Sequence, residues 1–426
     1  MTAKNLLDSK RGRFLTFGLM YISEGIPYGF TSAAMVAFMR VEGVSLDLIG
    51  VFVAALFLPW GFKWAWAPLV DIFRFNRFGG RKAWIVFCTS MIVITLSTTA
   101  ILDLVDDFEF LVALIVLNNF FCATQDVAID SLAVSVLRED ERGRGNGFMF
   151  GGQYAGIAMG GAGAIFVSGL FGFDAALLYI CGLMILNLLF IVFFVRDPDV
   201  DKVYGSTSLT ETLKTFGREL KIGFMDSGSG PKLGLLFAIA PIGTMALAYA
   251  TLSTIQVDYG LTENQIATFS ASNTIAAAIG CIVGGLIADR FGLKRVVFLG
   301  YAATAIPTLV LASYISAMGL QQVPYAVLYA CIVGHGLLFG GAFGVRAAVF
   351  MGMTNPAVGA TMFTGFMAIS NITISYTNYW QGLVAESYGY ATVLFAEGAL
   401  MLISLAIIPF LRNREAAPKP AVVPAT

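Results

Sequence analysis

The stretch GGLIADRFGLKR, residues 284–295, contains an aspartate–arginine pair followed by a lysine–arginine pair, and it lies between two long apolar segments. Each of these segments, 264–288 and 296–316, is long enough to cross a lipid bilayer, which takes about 20 mostly apolar residues. Basic residues in a short connection between two such segments are typical of a loop at the membrane surface. The stretch therefore predicts two membrane-spanning helices joined by a tight, charged loop.

The composition of the whole chain supports a membrane protein. Of its 426 residues, 58% are hydrophobic and only 12% are charged, whereas soluble globular proteins carry about 25% charged residues. The apolar residues fall into blocks of spanning length, which predicts an all-α integral membrane protein with twelve transmembrane helices. The predicted spans are roughly 14–39, 47–70, 83–102, 109–135, 147–170, 175–195, 232–256, 264–288, 296–316, 324–349, 359–384 and 391–411.

The lysines and arginines predict how the chain is oriented. All but two of the 26 lie at one end of the predicted spans; Arg40 is at the other end and Lys63 is inside span 2. Arg346 is counted with the majority, at the end of span 10. Because basic residues favour the cytoplasmic side, both termini are expected in the cytoplasm of a bacterial inner membrane protein. The polar first residues and the long first apolar run predict a retained span and not a cleaved signal peptide.

The spans predict two halves joined by a linker. Leu209, Leu213, Phe216 and Leu220 recur at helical spacing and predict an amphipathic helix on the cytoplasmic surface, with a disordered linker as the alternative. The predicted organisation is a cytoplasmic amino terminus (1–13), a six-helix bundle (14–195), a cytoplasmic linker containing the amphipathic helix (196–231), a second six-helix bundle (232–411) and a disordered cytoplasmic tail (412–426).

A related pattern in the first half supports an internal repeat. APLVDIFRFNRFGGRK, residues 67–82, also places an aspartate, glycines and a basic pair between two spans. The later copy resembles the G-x-x-x-D-R-x-G-x-[KR]-[KR] signature of the major facilitator superfamily, which implies two six-helix bundles. We expect charge and helix-dipole contacts of these loops to open and close the cytoplasmic side; simple anchoring at the membrane surface is the alternative. The predicted gating residues are Asp71, Arg81, Lys82, Asp289, Arg290, Lys294 and Arg295.

The first half also resembles a narrower group. FKWAWAPLVD (62–71), ATQDVAIDS (123–131) and LREDERGRG (137–145) follow one another as in the AmpG-type muropeptide permeases, which are similar to acetyl-CoA transporters and to some siderophore permeases. Where permeases of this type tend to have an arginine in span 5, this chain has Tyr154. The resemblance implies a permease for a bulky polar solute.

Charged residues inside the predicted spans are candidates for function, because charge in hydrocarbon is unfavourable. The rise along a helix places Glu24, Lys63, Asp126 and Asp130 in the inner half of the first bundle, where they are expected to form a proton-coupling cluster. A static salt bridge of Lys63 with Asp126 or Glu24 is the alternative, and Asp130 is expected to pair with a loop arginine. Glu397 is expected nearer the outer surface, without an assigned role.

Uncharged polar and aromatic residues of spans 5, 10 and 11 predict the wall of a substrate cavity, since such side chains suit sugars and aromatic siderophores. Ordinary helix packing and an interfacial aromatic belt are the alternatives. Repeated glycines in spans 5 and 10 predict close helix contacts. The candidate cavity residues are Gln153, Tyr154, His335, Asn371, Tyr376 and Asn378.

The function that these features favour is proton-coupled secondary transport. The expected cargo is an anhydro-muropeptide, with a siderophore or its metal chelate as the alternative; a receptor or scaffold without transport activity is the alternative of another class. The sequence has no catalytic triad or metal-ligand spacing, so we expect neither an enzyme nor a cofactor or metal. The net charge of −1 argues against nucleic acid. The expected partners are a small-molecule substrate, protons and the lipid bilayer, and the chain is expected to be a monomer.

Overall fold

The computed structural model describes residues 5–67, 70, 80–138, 141–197, 209–242, 245–354 and 359–411, and this part of the chain is helical without a strand. The helices of the first half are α1 (Lys10–Gly29, a π turn Phe30–Ala34 and Met35–Val41), α2 (Leu46–Phe62), α3 (Arg81–Thr98), α4 (Phe108–Val136), α5 (Arg142–Ala158, a π turn Met159–Gly163 and Ala164–Phe171) and α6 (Phe173–Phe194).

The second half follows a linker helix, Leu209–Leu220. Its helices are α7a (Ser229–Ile239), α7b (Ala250–Asp258), α8 (Glu263–Phe291), α9 (Leu293–Met318), α10 (Tyr325–Met353), and then α11 and α12, which form one helical stretch, Gly359–Ser404, interrupted at Gly389.

In the described residues, nine stretches are long and apolar enough to cross a membrane, and one of them contains both α11 and α12. Together with α1 and α7 they are consistent with the twelve predicted spans. The prediction of one continuous span over 232–256 is wrong. α7a ends at Ile239, and the backbone of the next residue, Ala240, is extended, because Pro241 disfavours a helical residue before it and cannot donate a backbone hydrogen bond.

Close glycine contacts hold helix pairs together, as predicted for spans 5 and 10. In α5, a Cβ atom on Gly160 would lie 2.0 Å from the carbonyl oxygen of Ile26 in α1. In α10, a Cβ on Gly340 would lie 2.1 Å from the carbonyl oxygen of Ala277 in α8. Only glycine permits these approaches, so each half contains one helix pair whose backbones are in direct contact.

The two halves meet through α2 and α11 and through a clamp at one end of the bundle. We call the end where α1, α3, α5 and α9 begin the basic end, and the other the far end. At the far end the guanidinium of Arg40 donates to both carboxylate oxygens of Asp258, at 2.6 and 2.7 Å. The Tyr390 hydroxyl donates to the same carboxylate at 2.7 Å. This Arg40–Asp258 clamp joins α1 of the first half to α7b of the second.

The linker helix contacts both halves at the basic end. The ring of Phe216 stacks on that of Trp64, which follows α2, with centroids 6.0 Å apart. The carboxylate of Glu219 accepts a hydrogen bond of 2.7 Å from Thr361 at the start of α11. The linker helix is therefore held at the basic end by contacts with both halves. Residues 1–4 and the tail after Leu411 lie outside the described residues.

Candidate functional site

A buried ion pair links α2 and α4 in the first half. The Nζ atom of Lys63, on the 3-10 turn that follows α2, lies 2.5 Å from Oδ2 of Asp126, and both side chains are largely buried. The same Nζ lies 5.3 Å from the ring centre of Trp60. Opposite charges at hydrogen-bond distance each reduce the penalty for burying the other. Of the two pairings considered for Lys63, the structure shows the one with Asp126.

Polar neighbours of Asp126 fix the orientation of α4. Gln125 donates to Thr89 of α3 at 2.6 Å, and the indole of Trp66 donates to Thr124 at 3.1 Å. The indole of Trp60 donates to Asn119 at 3.1 Å. These bonds hold the segment from Asn119 to Asp126 against α2 and α3, so that Asp126 faces the interior of the bundle.

Glu24 of α1 is buried beside this pair. It accepts a hydrogen bond of 2.7 Å from Gln153 of α5, while its other oxygen is buried and has no hydrogen-bond partner within the described residues. Glu24 lies close enough to Lys63, Asp126 and Asp130 for their charges to interact. The structure thus brings together all four residues that were predicted to form a cluster.

The expected pairing of Asp130 with a loop arginine is not what the structure describes. Asp130 accepts a hydrogen bond of 2.6 Å from the hydroxyl of Tyr21 in α1. One helical turn separates Asp130 from Asp126, so both carboxylates share the face of α4 that points into the bundle. Asp130 is nevertheless exposed. An exposed side chain on an inward face borders an open space inside the bundle.

The described contacts of the predicted gating residues lie within one half or the other. The backbone N–H of Arg81 donates to Asp197 at 2.9 Å and its side chain to Ser131 at 2.8 Å, while Lys82 donates to the carbonyl of Val192 at 2.7 Å. Lys294 donates to the carbonyl of Leu411. Arg290 and Arg295 are exposed; Asp71 and the side chain of Asp289 lie outside the described residues. These contacts order each half and do not join the halves in this structure.

A second buried ion pair at the basic end was not predicted. The guanidinium of Arg13 donates to both oxygens of Glu141, at 2.9 and 2.6 Å, and both side chains are buried. The hydrogen bond from Arg13 holds the pKa of the Glu141 carboxyl below its usual value. The pair ties the start of α1 to the start of α5. Arg13 is one of the basic residues that the sequence groups at one end of the predicted spans, and Glu141 falls in the stretch LREDERGRG of the resemblance.

The candidate cavity residue Tyr154 lies between the halves. Its hydroxyl is 3.3 Å from Sγ of Cys281 in α8. Nearby, the ring of Phe57 in α2 packs edge-on against Tyr28 of α1 and Tyr249 before α7b, with centroid distances of 6.0 and 5.4 Å. Tyr28, Phe57 and Tyr249 form an aromatic junction between the first and second halves. The candidate Tyr154 lies beside this junction in the interface.

The other candidate cavity residues serve mainly to pack the second half. His335 and Asn378, two of the predicted cavity residues, are fully buried in this structure. His335 stacks on Phe339 of its own helix, and Asn378 accepts a hydrogen bond of 3.2 Å from the backbone of Ala250. Tyr376 is half-buried and donates to the carbonyl of Ile239 at 2.6 Å. Asn371 is also half-buried.

The break in α7 organises these contacts, and sequence reasoning missed it. At the end of α7a, the carbonyl of Ala238 accepts from Thr373 at 2.7 Å, which satisfies an acceptor that the helix leaves unpaired. On the other side of the break, the N–H of Met245 donates to Glu397 at 3.2 Å, and Gln381 donates to the same carboxylate. Glu397, to which the sequence assigned no role, is fully buried against the break. Pro241 was the available signal.

Arg346 is also placed differently from its expected position at the membrane surface. Only 2% of it is exposed, and it donates to Ser370 of α11 at 2.9 Å and, more weakly, to the Ala238 carbonyl at 3.4 Å. Its guanidinium lies 5.4 and 5.2 Å from the ring centres of Phe237 and Phe350. Discontinuous transmembrane helices commonly border transport sites. Arg346 lies beside the break in α7, at the end of α7a.

Comparison with known proteins agrees with this architecture. The chain is 22% identical over 401 residues to the anhydromuropeptide permease of Escherichia coli strain K12, covering 92% of this chain and 78% of that protein. It is 24% identical over 375 residues to an uncharacterised protein of Haemophilus influenzae, covering 86% of this chain and 87% of the relative.

Solved transporters share the fold. The inward-open xylose transporter XylE of Escherichia coli superposes with a TM-score of 0.71 at 12% identity, covering 96% of this chain and 97% of that one. The nucleoside transporter NupG superposes with a TM-score of 0.69 at 16% identity, covering 94% and 98%. The family model described as Major Facilitator Superfamily matches residues 14–226 and 233–426. The protein is therefore a multi-pass membrane transporter that belongs to the Major Facilitator Superfamily and resembles its AmpG-type permeases.

Proposed function

We propose that the protein is a proton-coupled secondary transporter that imports a bulky polar solute, such as an anhydro-muropeptide, across the bacterial inner membrane. The observation that carries this proposal is the cluster of Glu24, Lys63, Asp126 and Asp130. It holds three carboxylates and one ammonium group. An excess of buried negative charge is relieved when one carboxylate binds a proton, which gives the transporter a site for the coupling ion.

The geometry favours Glu24 as the group that binds the proton. Asp126 has Lys63 as a direct counter-ion at 2.5 Å, and Asp130 is exposed and bonded to Tyr21. Glu24 is bonded to the neutral amide of Gln153 and has one buried oxygen without a partner in the described residues. A protonated Glu24 still accepts from Gln153. The Lys63–Asp126 pair then serves as a fixed charge that positions α2 and α4.

The contacts between the halves support alternating access with the far end closed. The Arg40–Asp258 clamp joins the halves there, while Asp130 borders an open space nearer the basic end. In the orientation that the basic residues favour, the basic end and both termini face the cytoplasm. A protein in this state would release an imported cargo to the cytoplasm.

The similarity to an anhydromuropeptide permease supports the cargo. The test is uptake of labelled anhydro-muropeptide by proteoliposomes with and without an inward proton gradient, with ferric siderophore as a second cargo. We expect muropeptide uptake that the gradient stimulates and a protonophore abolishes. Uptake of muropeptide that ignores the gradient would refute the coupling, whereas uptake of the siderophore alone would refute the cargo.

Glu24→Gln identifies the proton site in the same assay. It retains a group of the same shape that can bond Gln153 but cannot bind a proton. We expect cargo to exchange across the membrane at an undiminished rate while stimulation by the gradient is lost. Glu109→Gln, at an exposed glutamate in the first turn of α4, is the matched control and should behave as the wild type. Full gradient stimulation in Glu24→Gln would remove Glu24 from the coupling step.

A further inference from the structure

Arg346 is a buried cation for which the described part of the chain provides no carboxylate. Its described partners are the hydroxyl of Ser370, the carbonyl of Ala238 and two aromatic rings. Neutral hydroxyl and carbonyl groups and ring faces compensate only part of the penalty for removing a guanidinium from water. A charge held in this way inside a transmembrane bundle is a functional site by default.

Two buried polar atoms at this position have no hydrogen-bond partner among the residues that the structure describes. One is Nε of Arg346, and the other is the hydroxyl of Tyr301 in α9. Tyr301 is fully buried, and its hydroxyl is near the guanidinium without meeting hydrogen-bond geometry. Both groups can donate, and buried donors are rarely left unused. The group that would satisfy both, and also supply the missing negative charge, is an oxyanion.

This position is close to the interface between the halves. Arg346 lies near enough to Tyr249 for its charge to act on that residue, and Tyr249 belongs to the aromatic junction with Phe57 and Tyr28 of the first half. Arg346 also contacts the end of α7a at the break. Transporters of this architecture bind cargo near the interface of their repeats, beside discontinuous helices.

We propose that Arg346 and Tyr301 bind a carboxylate of the cargo. The inference rests on the transport function proposed above and deepens it by assigning the anionic part of the cargo to the second half. The cluster of the first half has more carboxylates than ammonium groups and repels an anion. The carboxylate of the cargo therefore points towards α9 and α10, and its uncharged sugar groups point towards the first half.

A purely structural role for Arg346 makes a different prediction. As a group that only supports the last turn of α7a, Arg346 would affect every cargo equally. As a carboxylate-binding group, it discriminates between a cargo that carries the charge and one that does not. The readout is therefore the ratio of KM values for two forms of one cargo, and not activity alone.

The experiment measures uptake of an anhydro-muropeptide and of the same molecule with its carboxylates amidated, in wild type, Arg346→Gln, Arg346→Lys and Tyr301→Phe. A hydrogen bond to a charged group corresponds to about a tenfold to hundredfold effect on affinity. We expect Arg346→Gln to raise KM for the carboxylate form by that factor and to leave KM for the amidated form nearly unchanged. Tyr301→Phe should act in the same direction but less strongly, and Arg346→Lys should fall between wild type and Arg346→Gln.

The matched control is Arg218→Gln, at an exposed arginine of the linker helix, which should leave both KM values unchanged. Equal changes in KM for the two forms would overturn the inference and leave the proposed transport function intact. If Arg346→Gln does not reach the membrane, Arg346→Lys and Tyr301→Phe decide by the same ratio. Failure of the wild type to take up either form would instead overturn the proposed function, and this inference with it.

Discussion

Lys63 and Asp126 come from distant parts of the chain and neutralise each other inside the bundle. Removing one partner of a buried ion pair leaves an uncompensated charge, which typically destabilises a protein by about 3–5 kcal/mol, whereas replacing both partners is much better tolerated. We expect Lys63→Met to lower the free energy of unfolding of the detergent-solubilised protein by about 3–5 kcal/mol. The double variant Lys63→Met/Asp126→Asn should recover most of the loss.

Thermal unfolding in detergent measures this pair of effects, with Lys214→Met on the exposed linker helix as the control. A double variant as unstable as the single one would show that the two residues do not act on stability as a pair.

Glu141 should make the protein sensitive to acid. Arg13 holds the pKa of Glu141 below its usual value, so the folded protein binds the proton less readily than the unfolded chain. Such a group adds stability above the unfolded pKa of about 4.3, and this stability is lost as the pH falls through the lower folded pKa. We expect the melting temperature of the wild type to fall more steeply below about pH 4 than that of Glu141→Gln.

Melting temperatures plotted against pH between about pH 3 and pH 6 would show this difference as two lines that converge at the acid end. Parallel lines for wild type and Glu141→Gln would mean that the Arg13–Glu141 pair does not contribute to the pH dependence.

At the scale of elements, the contact between α1 and α5 requires glycine at position 160. A Cβ there would lie 2.0 Å from the carbonyl oxygen of Ile26, so Gly160→Ala must push the two helices apart. Strain of this kind typically lowers stability by about 1–3 kcal/mol. Gly151→Ala is a control on the same helix, because its Cβ would meet nothing within 4 Å and alanine is a better helix former than glycine.

The melting temperature in detergent should therefore fall below that of the wild type in Gly160→Ala, and should rise or stay unchanged in Gly151→Ala. Equal stability of both variants would contradict the direct backbone contact.

The elements themselves were predictable from the sequence to different degrees. A span without interruption, such as α4, was predicted as 109–135 and is observed as Phe108–Val136, because twenty or more apolar residues in hydrocarbon form a helix whatever their neighbours are. α7 was not predicted correctly. Its average hydropathy is that of a span, and only Pro241 signals the break that Thr373 and Glu397 stabilise from other helices.

The same difference explains which residues of the candidate site could be predicted from the sequence. Glu24, Lys63 and Asp126 were found from sequence because an ionisable residue in the middle of an apolar block stands out. Arg346 was not found, since it lies seven residues before the observed end of α10 and looks like a surface anchor when the depth of the span is unknown. Its partners Ser370 and Ala238 become apparent only when three helices are packed together.

At the scale of the whole molecule, the Arg40–Asp258 clamp should bias the protein towards the state that is closed at the far end. Its two carboxylate bonds join opposite halves, and Tyr390 adds a third bond to Asp258. We expect Asp258→Ala to raise the population that is open at the far end. The exchange variant Arg40→Asp/Asp258→Arg should restore part of the closed population, because it preserves the attraction.

Spin labels at the exposed residues Glu42 and Gln322, on opposite halves at the far end, would report the distance between the halves. The distribution should gain a longer component in Asp258→Ala and lose much of it in the exchange variant. An unchanged distribution in Asp258→Ala would show that the clamp does not control the far end.

The π turn Phe30–Ala34 in α1 sets the register of this clamp. A π turn holds one residue more than a turn of α-helix. Arg40 comes six residues after the end of the turn, Ala34. Because the extra residue is taken up within the turn, the same chain wound as a regular α-helix throughout would place every residue beyond the turn about 100° further around the helix axis. The Arg40 side chain would then face away from Asp258, without any change to either residue. The pairing of two charges between the halves thus depends on the π turn as well as on the two residues. Deleting one residue within Phe30–Ala34, which lets the turn become α-helical, should keep the clamp, whereas deleting one residue of the α-helical stretch between the turn and Arg40 should have the same consequence as losing the arginine.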